Sequence, residues 1–136
     1  MKNKIEFLNP EGLHKNPAFS QSVILEGNYK TIYIGGQNGA NKDGKVVGND
    51  IEAQAKQVLI NLKTALKSAG ASLKDIIQWT VFVVQGQPLE NGFKVFQGVI
   101  KNMKNPPIIT MAYVSALGNP DFLMELSAIA IVLENK

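Results

Sequence analysis

Residues 50–83 read DIEAQAKQVLINLKTALKSAGASLKDIIQWTVFV, and the spacing of their apolar side chains changes once along the stretch. In the first part, apolar residues recur every three or four positions, and Gly70 stands where a helix would end. This spacing predicts an amphipathic helix over residues 51–69. Residues 75–84 are β-branched or aromatic nearly throughout, which predicts a strand covered on both faces or lying at a subunit contact. A helix followed by such a strand indicates a fold in which helices pack on a sheet.

The sequence before this stretch predicts two strands and a glycine-rich loop. Residues 22–36, SVILEGNYKTIYIGG, hold two β-rich runs around Gly27, and this pattern predicts a hairpin. The adjacent Gly35 and Gly36 at the end of the second run indicate a bulge, or a backbone that another group approaches closely. The residues 42–44, Lys-Asp-Gly, predict a turn in the polar loop that follows.

The sequence after this stretch predicts one more helix and two more strands. The helix begins near Pro88, and the strands cover residues 108–115 and 123–133. The order is hairpin, helix, strand, helix, strand, strand. It predicts a single α+β domain over residues 1–136, with one mixed sheet and two helices on one of its faces.

The second face of that sheet has no predicted helix to cover it. Strands 76–84 and 123–133 carry apolar residues at odd and even positions alike, so both of their faces are apolar. We therefore expect a homo-oligomer in which the sheets pack on each other.

Composition excludes several classes of site. The net charge is only +3, the lysines are scattered, and no arginine is present, so nucleic-acid binding has little support and no guanidinium is available to grip a carboxylate. Cysteine is absent, which excludes disulfides, thiolate metal sites and cysteine nucleophiles. No apolar run is long enough for a membrane helix and no signal peptide is evident, so we expect a soluble, cytoplasmic protein without a membrane partner.

Glu125 is the only charged residue between Phe122 and Leu133, within the last predicted strand. It either sits at an exposed strand start or lines a cleft whose apolar walls favour its protonated form and suit it to general-base chemistry. His14 is the only imidazole, so one chain cannot form a three-histidine metal site, and we expect no bound metal. His14 and Lys15 either are solvated loop residues or supply a positive charge at the rim of a pocket.

Other motifs give no catalytic signature. The serines lack a G-x-S-x-G frame, and GGQNG at residues 35–39 is not a phosphate-binding P-loop because no lysine follows it at the required spacing. Trp79 is expected in the core rather than on a base-stacking surface.

Four segments together resemble the Rid family, also called the YjgF or endoribonuclease L-PSP family. They are NPAFSQ at residues 16–21, IYIGGQNG at 32–39, the helix and strand at 50–83, and NPPIITMAYVSALGNPDFLMELSAIAIV at 105–132. The resemblance implies a chorismate-mutase-like α+β fold and a homotrimer with the sheets packed inward. It also implies three small-molecule clefts between subunits and no cofactor.

In the best-understood branch of that family, enamine or imine intermediates are hydrolysed to 2-oxo acids and ammonia. An arginine there grips the substrate carboxylate and a glutamate activates water. By position, the resemblance places the glutamate at Glu125, a backbone-contact glycine at Gly36 and a second-helix asparagine at Asn91.

The remaining positions depart from the family pattern. Ile109 stands at the arginine position, Met111 at a cysteine, Phe19 at a tyrosine and Gly35 at a serine. Alternation along the strand places Tyr113 beside Ile109 and Met111. We therefore expect weak activity on small imino acids and a preference for a less charged, more apolar ligand.

The sequence leaves three functions open. The first is a divergent deaminase-like hydrolase that acts on C–N bonds and uses Glu125. The second is a non-catalytic binding or regulatory trimer of the same fold. The third, a ribonuclease, rests on one family name and is disfavoured by the single histidine and the scattered lysines.

Overall fold

The computed structural model of the protein describes residues 2–134. Its elements follow the order β1 (Lys4–Leu8), β2 (Ser22–Glu26), β3 (Tyr29–Gln37), α1 (Ile51–Ser68), a short 3₁₀ turn (Leu73–Asp75), β4 (Ile76–Val84), α2 (Leu89–Ile100), β5 (Ile108–Val114) and β6 (Met124–Leu133). Both predicted helices and the strands after them are present within a residue or two of the expected ends.

Four strands form a mixed sheet in the order β3-β6-β4-β5. β6 is antiparallel to both β3 and β4, and β4 runs parallel to β5. Parallel neighbours need a long crossover connection, and α2 supplies it between β4 and β5. The arrangement leaves β3 at one edge of the sheet and β5 at the other.

Both helices pack on one face of this sheet, as predicted. α1 begins where the Asp50 side chain accepts a hydrogen bond of 2.8 Å from Ala53 N, and it ends before Gly70, whose φ of +77° suits glycine. The apolar stripe of α1 is fully buried against alternate residues of the strands. The main members of this core are Val58, Leu62, Leu66, Ile34, Trp79, Val83, Leu126 and Ala128.

The predicted hairpin is wrong, although both of its strands and its turn exist. β2 pairs with β1, with Phe7 opposite Val23, and β3 pairs with β6. No strand is predicted at Lys4–Leu8, although its residues alternate between polar and apolar from Lys4 to Phe7. This strand pairs with β2 in place of β3.

The two-stranded ribbon of β1 and β2 spans one end of the sheet. Just before β2, Ser20 donates from its backbone N–H to Pro107 O at 3.1 Å and from Oγ to Pro106 O at 2.6 Å, next to the start of β5. Just after β2, Asn28 O accepts from Glu134 N at 3.0 Å, next to the end of β6. The ribbon therefore runs from the β5 edge of the sheet to the β3 edge.

The second face of the sheet is not covered by either helix. It presents Thr80 and Phe82 from β4, Ser127 and Ile129 from β6, and Tyr33 from β3, whose side chain is 77 % exposed. No helix within residues 2–134 is long and apolar enough to span a membrane.

Candidate functional site

Glu125 lies on the face of the sheet opposite the helices. Its neighbours Met124 and Leu126 are buried in the helix-side core, so alternation directs Glu125 to the other face, where it pairs in register with Phe82. Glu125 is half-buried at the second position of β6. Its exposure is intermediate between that expected at an exposed strand start and that expected in an enclosed cleft.

The carboxylate of Glu125 rests against the backbone of Gly36. A Cβ atom on Gly36 would lie 2.6 Å from Glu125 Oε2, a separation that real side chains do not adopt. At Gly35, in contrast, an added Cβ would meet nothing within 4 Å. The pairing of β3 with β6 is also irregular between Ile34 and Gln37. Both interpretations of the paired glycines are therefore confirmed, because they form a bulge and they allow a close approach.

A buried glutamine fixes the start of the strand that holds Glu125. Gln54 of α1 is completely buried, and its side-chain oxygen accepts from Leu123 N at 2.8 Å while its Nε2 donates to Asp121 O at 2.9 Å. The same amide donates to Gly48 O at 3.3 Å. One side chain thus connects α1, the loop before it and the turn that leads into β6.

A second group of predicted site residues lies on the helix side of the sheet, at its other edge. Ile109 and Met111 of β5 stand opposite Trp79 and Val81 of β4, and together with α2 they line an apolar cavity of about 70 Å³. Phe93 of α2 lies at this cavity as well. These side chains present carbon atoms and the thioether sulfur of Met111 to the cavity, and none of them is charged.

Tyr113 and Asn91 lie outside this cavity. Tyr113 stands opposite Val83 on the same face as Met111 and is about half exposed. Asn91 is exposed in the first turn of α2, while Leu89, Gly92 and Phe93 are the residues of that turn that line the cavity. The structure therefore places Asn91 neither beside Glu125 nor in the wall of the cavity. Phe93 occupies the helical position that faces β5.

Phe19 lies beside the start of β5 rather than beside Glu125. The hydrogen bonds of Ser20 to Pro106 and Pro107 hold the segment there, and the Phe19 ring meets His14 edge-on with centroids 5.7 Å apart. His14 and Lys15 are both exposed in this loop.

Five of the predicted site residues, together with Phe93, therefore form two groups, whereas Phe19, Asn91 and Tyr113 lie outside both. We call Glu125, Gly35 and Gly36 the carboxylate group, and Ile109, Met111 and Phe93 the apolar group. β3 and β5 are three strand spacings apart in the sheet, which is a distance of about 14 Å between the two strands. The two groups also lie on opposite faces, so a single chain does not bring them together.

The carboxylate group has no charged partner within the described part of the chain. The ion pairs among residues 2–134 join Lys4 to Glu6 and Glu26, and Lys56 to Glu52, all on exposed surface. Glu125 therefore has its carboxylate available to a ligand, a water molecule or a second protein chain.

Two residues that matter to these groups are not singled out from the sequence. Gln54 lies within the first predicted helix and Phe93 within the second, and neither is predicted as a site residue. A signal exists for Gln54, since it falls on the same helical face as Val58 and Leu62.

Comparison with known proteins identifies the family. The sequence model of the family described as endoribonuclease L-PSP matches residues 13–132. A RutC family protein of Pyrococcus abyssi is 33 % identical over 113 residues, which cover 82 % of this chain and 84 % of that protein. Human 2-iminobutanoate/2-iminopropanoate deaminase is 29 % identical over 114 residues, 83 % of this chain and 79 % of the human one.

A solved structure agrees with the sequence relatives. A protein of the conserved Rid family from Yersinia pestis superposes with a TM-score of 0.82 at 31 % identity, covering 94 % of this chain and 98 % of that one. The mixed sheet with two helices on one face is common to both. The chain therefore belongs to the endoribonuclease L-PSP family, also known as the YjgF or Rid family.

Proposed function

We propose that the protein is a cytoplasmic homotrimer with a small-molecule site between each pair of neighbouring chains, and that it hydrolyses imines or enamines lacking a carboxylate. Glu125 is the proposed general base, and neither metal nor cofactor takes part. The proposal draws on the family relationship, including the human relative named as a 2-iminobutanoate/2-iminopropanoate deaminase.

The placement of the two groups supports a site shared between chains. The carboxylate group lies towards the β3 edge of the sheet and the apolar group at the β5 edge. A head-to-tail contact places the β3 edge of one chain beside the β5 edge of the next, and a head-to-tail contact that closes with threefold symmetry gives a trimer. When the second faces of the three sheets are turned inward, such a ring joins the two groups into three equivalent sites and also covers those faces.

The single observation that supports hydrolysis best is the packing of Glu125 on Gly36. The carboxylate occupies the space that any other residue at position 36 would fill. A base held in this way can take a proton from water while the hydroxyl adds to the carbon of a C=N bond. The proton taken from water passes to the nitrogen, the hydroxyl proton of the resulting carbinolamine follows it, and the C–N bond breaks to release ammonia and a carbonyl product.

The absence of arginine sets the expected substrate class. A bidentate guanidinium grips and orients a carboxylate, and no chain of a homotrimer has one to supply. Ile109 and Met111 present apolar surface instead. We therefore expect substrates with an alkyl group in place of the carboxylate.

The test compares ammonia release from two freshly generated imines. One is an alkyl imine produced in situ by an amine oxidase, and the other is 2-iminobutanoate. The native protein should accelerate hydrolysis of the alkyl imine, Glu125→Gln should reduce the rate to background, and Ile109→Arg should increase the rate on 2-iminobutanoate. A native rate on 2-iminobutanoate that exceeds the alkyl imine rate would contradict the substrate assignment.

The competing function is a binding or regulatory trimer without catalysis. The wholly apolar character of Ile109, Met111 and Phe93 favours it, because these side chains supply no chemistry of their own. No acceleration on either imine, with Glu125→Gln indistinguishable from native, would establish this alternative over the hydrolase.

A further inference from the structure

A second hollow lies on the helix side of the molecule, between α1 and the loop that follows β3. Its volume is about 780 Å³, which falls within the usual range for small-molecule sites. It is separate from the carboxylate group, because Gln37 stands opposite Leu126 and faces the helices, whereas Glu125 faces the other way. It also shares no lining residue with the cavity beneath α2. The proposed hydrolysis therefore makes no use of this hollow.

The side chains around this hollow are mostly polar and almost uncharged. Lys42 is the only ionisable side chain among the described residues that line it, and Thr64 and Ser68 add hydroxyl groups. Because carboxylates are missing and a single exposed lysine is present, the lining favours a neutral polar ligand over an ion. We call this surface the amide hollow after the five side-chain amides that line it, which belong to Gln37, Asn38, Asn41, Gln57 and Asn61.

Hydrogen bonds fix the two walls of the amide hollow relative to each other. Asn61 of α1 donates from Nδ2 to Asn38 O at 3.1 Å and to Ala40 O at 2.9 Å. Gln57, one turn earlier in α1, donates from Nε2 to Asn61 Oδ1 at 2.9 Å. The loop is thus held against the helix before any ligand arrives, so binding does not require the loop to become ordered.

Four amide atoms around the hollow make no hydrogen bond within residues 2–134. Asn38 and Asn41 accept backbone hydrogen bonds with Oδ1, which leaves their Nδ2 groups as free donors. Gln37 and Gln57 donate from Nε2, which leaves their Oε1 atoms as free acceptors. Among the same residues, the buried side-chain nitrogen or oxygen without a hydrogen bond is Trp79 Nε1, so these four atoms are accessible to solvent. A ligand can therefore reach both donors and acceptors in the hollow.

An apolar side chain lies among these polar groups. Ile60 of α1 is 55 % exposed, and Ala40 and Ala65 line the hollow beside it. Single exposed apolar residues are common on protein surfaces, but this one lies in a hollow whose other walls donate and accept hydrogen bonds. The combination matches a ring that carries hydroxyl groups at its edge and C–H bonds on its face, because each hydroxyl both donates and accepts.

We propose that the amide hollow binds a neutral polyhydroxylated ring, such as a monosaccharide unit. Hydroxyl groups at the ring edge accept hydrogen bonds from Asn38 and Asn41 and donate to Gln37 and Gln57, while the C–H face rests on Ile60. This site goes beyond the proposed function, and binding there requires no turnover.

The side-chain amide signals of the full-length, assembled protein provide a direct test. The probes are myo-inositol and the methyl α-pyranosides of glucose, galactose and mannose, which are non-reducing and so do not react with lysines. In ¹⁵N-correlated NMR spectra, at least one probe should shift the Asn38 and Asn41 Nδ2 signals with saturation. Asn38→Asp and Asn41→Asp assign these signals, because each variant keeps the Oδ1 acceptor and removes one amide. The Asn119 signal should stay in place, since Asn119 accepts from Asp121 N in the same way but lies outside the hollow.

Two apolar residues of equal exposure provide matched variants. Ile60→Ser removes the apolar platform and should weaken binding of the responding probe by about fivefold. Leu13→Ser, at a residue that is also 55 % exposed but lies in the loop before β2, should leave binding unchanged. Cyclohexanol has a six-membered ring with one hydroxyl, so it should bind about tenfold more weakly than the responding probe.

Three results would overturn the proposal. They are the absence of a saturable Asn38 or Asn41 shift with all four probes, equal affinity for cyclohexanol, and an equal loss of binding in Ile60→Ser and Leu13→Ser. The first is also the result expected if a neighbouring chain covers the hollow in the assembly. Probe binding by a protein that does not hydrolyse imines supports this inference and removes the hydrolase, whereas hydrolysis without probe binding does the reverse.

Discussion

At the scale of single residues, Gly36 controls where the carboxylate of Glu125 can lie. Gly36→Ala introduces a Cβ that would stand 2.6 Å from Glu125 Oε2, so the carboxylate must move off the β3 backbone. We expect a clear change in the Glu125 side-chain carboxyl ¹³C shift in this variant. The matched control is Gly35→Ala, where the added Cβ meets nothing within 4 Å and the shift should stay as in the native protein. Equal shifts in the two variants would show that Gly36 has no special relation to Glu125.

Gln54 should contribute far more to stability than an ordinary helical glutamine. Gln54→Leu leaves Leu123 N and Asp121 O without their partners, and we expect it to lower the free energy of unfolding by about 2–3 kcal/mol. Gln57→Leu on the same helix removes only a contact with Asn61 and should cost less than about 1 kcal/mol. Urea denaturation at one fixed protomer concentration measures both, and equal losses would contradict the anchoring role of Gln54.

Residue-level features differ in how well the sequence predicts them. The glycine pair could be predicted, because two adjacent glycines at a strand end favour either a bulge or a close approach of another group. The meeting of Glu125 with Gly36 could not, because it depends on the register between β3 and β6, which are almost a hundred positions apart in the chain. The separation of Glu125 from Ile109 onto opposite faces also required the pairing of all four strands.

At the scale of elements, the two glycines inside α2 should respond differently to alanine. Glycine within a helix is less favourable than alanine by about 0.5–1 kcal/mol, so Gly98→Ala should increase stability by about that amount. Gly92→Ala should increase it less or reduce it, because its Cβ would lie 3.2 Å from the buried Ile51 of α1. Thermal or urea unfolding of the two variants tests this, and an equal increase in both would mean that α1 and α2 do not pack closely at Gly92.

Most of the helices and strands can be predicted from the spacing of apolar residues along the chain. α1, α2 and the strands β4, β5 and β6 have strong periodicity or long apolar runs, which tertiary contacts reinforce. The pairing of β2 does not follow from local sequence. A turn at Gly27 is compatible with a hairpin, but β1 competes for β2 and β6 competes for β3, and both competitors are distant in the chain.

At the scale of the whole molecule, the uncovered face of the sheet should be an assembly surface. Light scattering of the native protein should give the mass of three 14.8-kDa chains. Tyr33→Lys should shift the distribution towards monomer, because it places a charge on that face at a position that is 77 % exposed in the single chain. The control is Ile60→Lys on the outer side of α1, where an apolar residue that is 55 % exposed is replaced and the mass should stay the same. A monomeric native protein would remove the shared site altogether.

The whole-molecule arrangement explains why local sequence alone cannot describe the candidate site. The sequence singles out Glu125, Ile109 and Met111, but in the proposed trimer they meet only across two chains. The fold places one group towards each edge of the sheet, and the head-to-tail contact that we propose would join them.

Proximity between the β5 edge of one chain and Gly36 of its neighbour tests the shared site. The native sequence has no cysteine, so Tyr113→Cys carries a single nitroxide label on the β5 edge of an unlabelled chain. This chain is co-refolded with ¹⁵N-labelled native protein, so that only signals of the native chain are observed. If the site is shared between chains, the Gly35 and Gly36 amide signals broaden, while the Gly12 signal in the loop before β2 remains sharp. Sharp Gly35 and Gly36 signals in an assembly that contains both chains would contradict a site shared between Glu125 of one chain and the apolar group of the next.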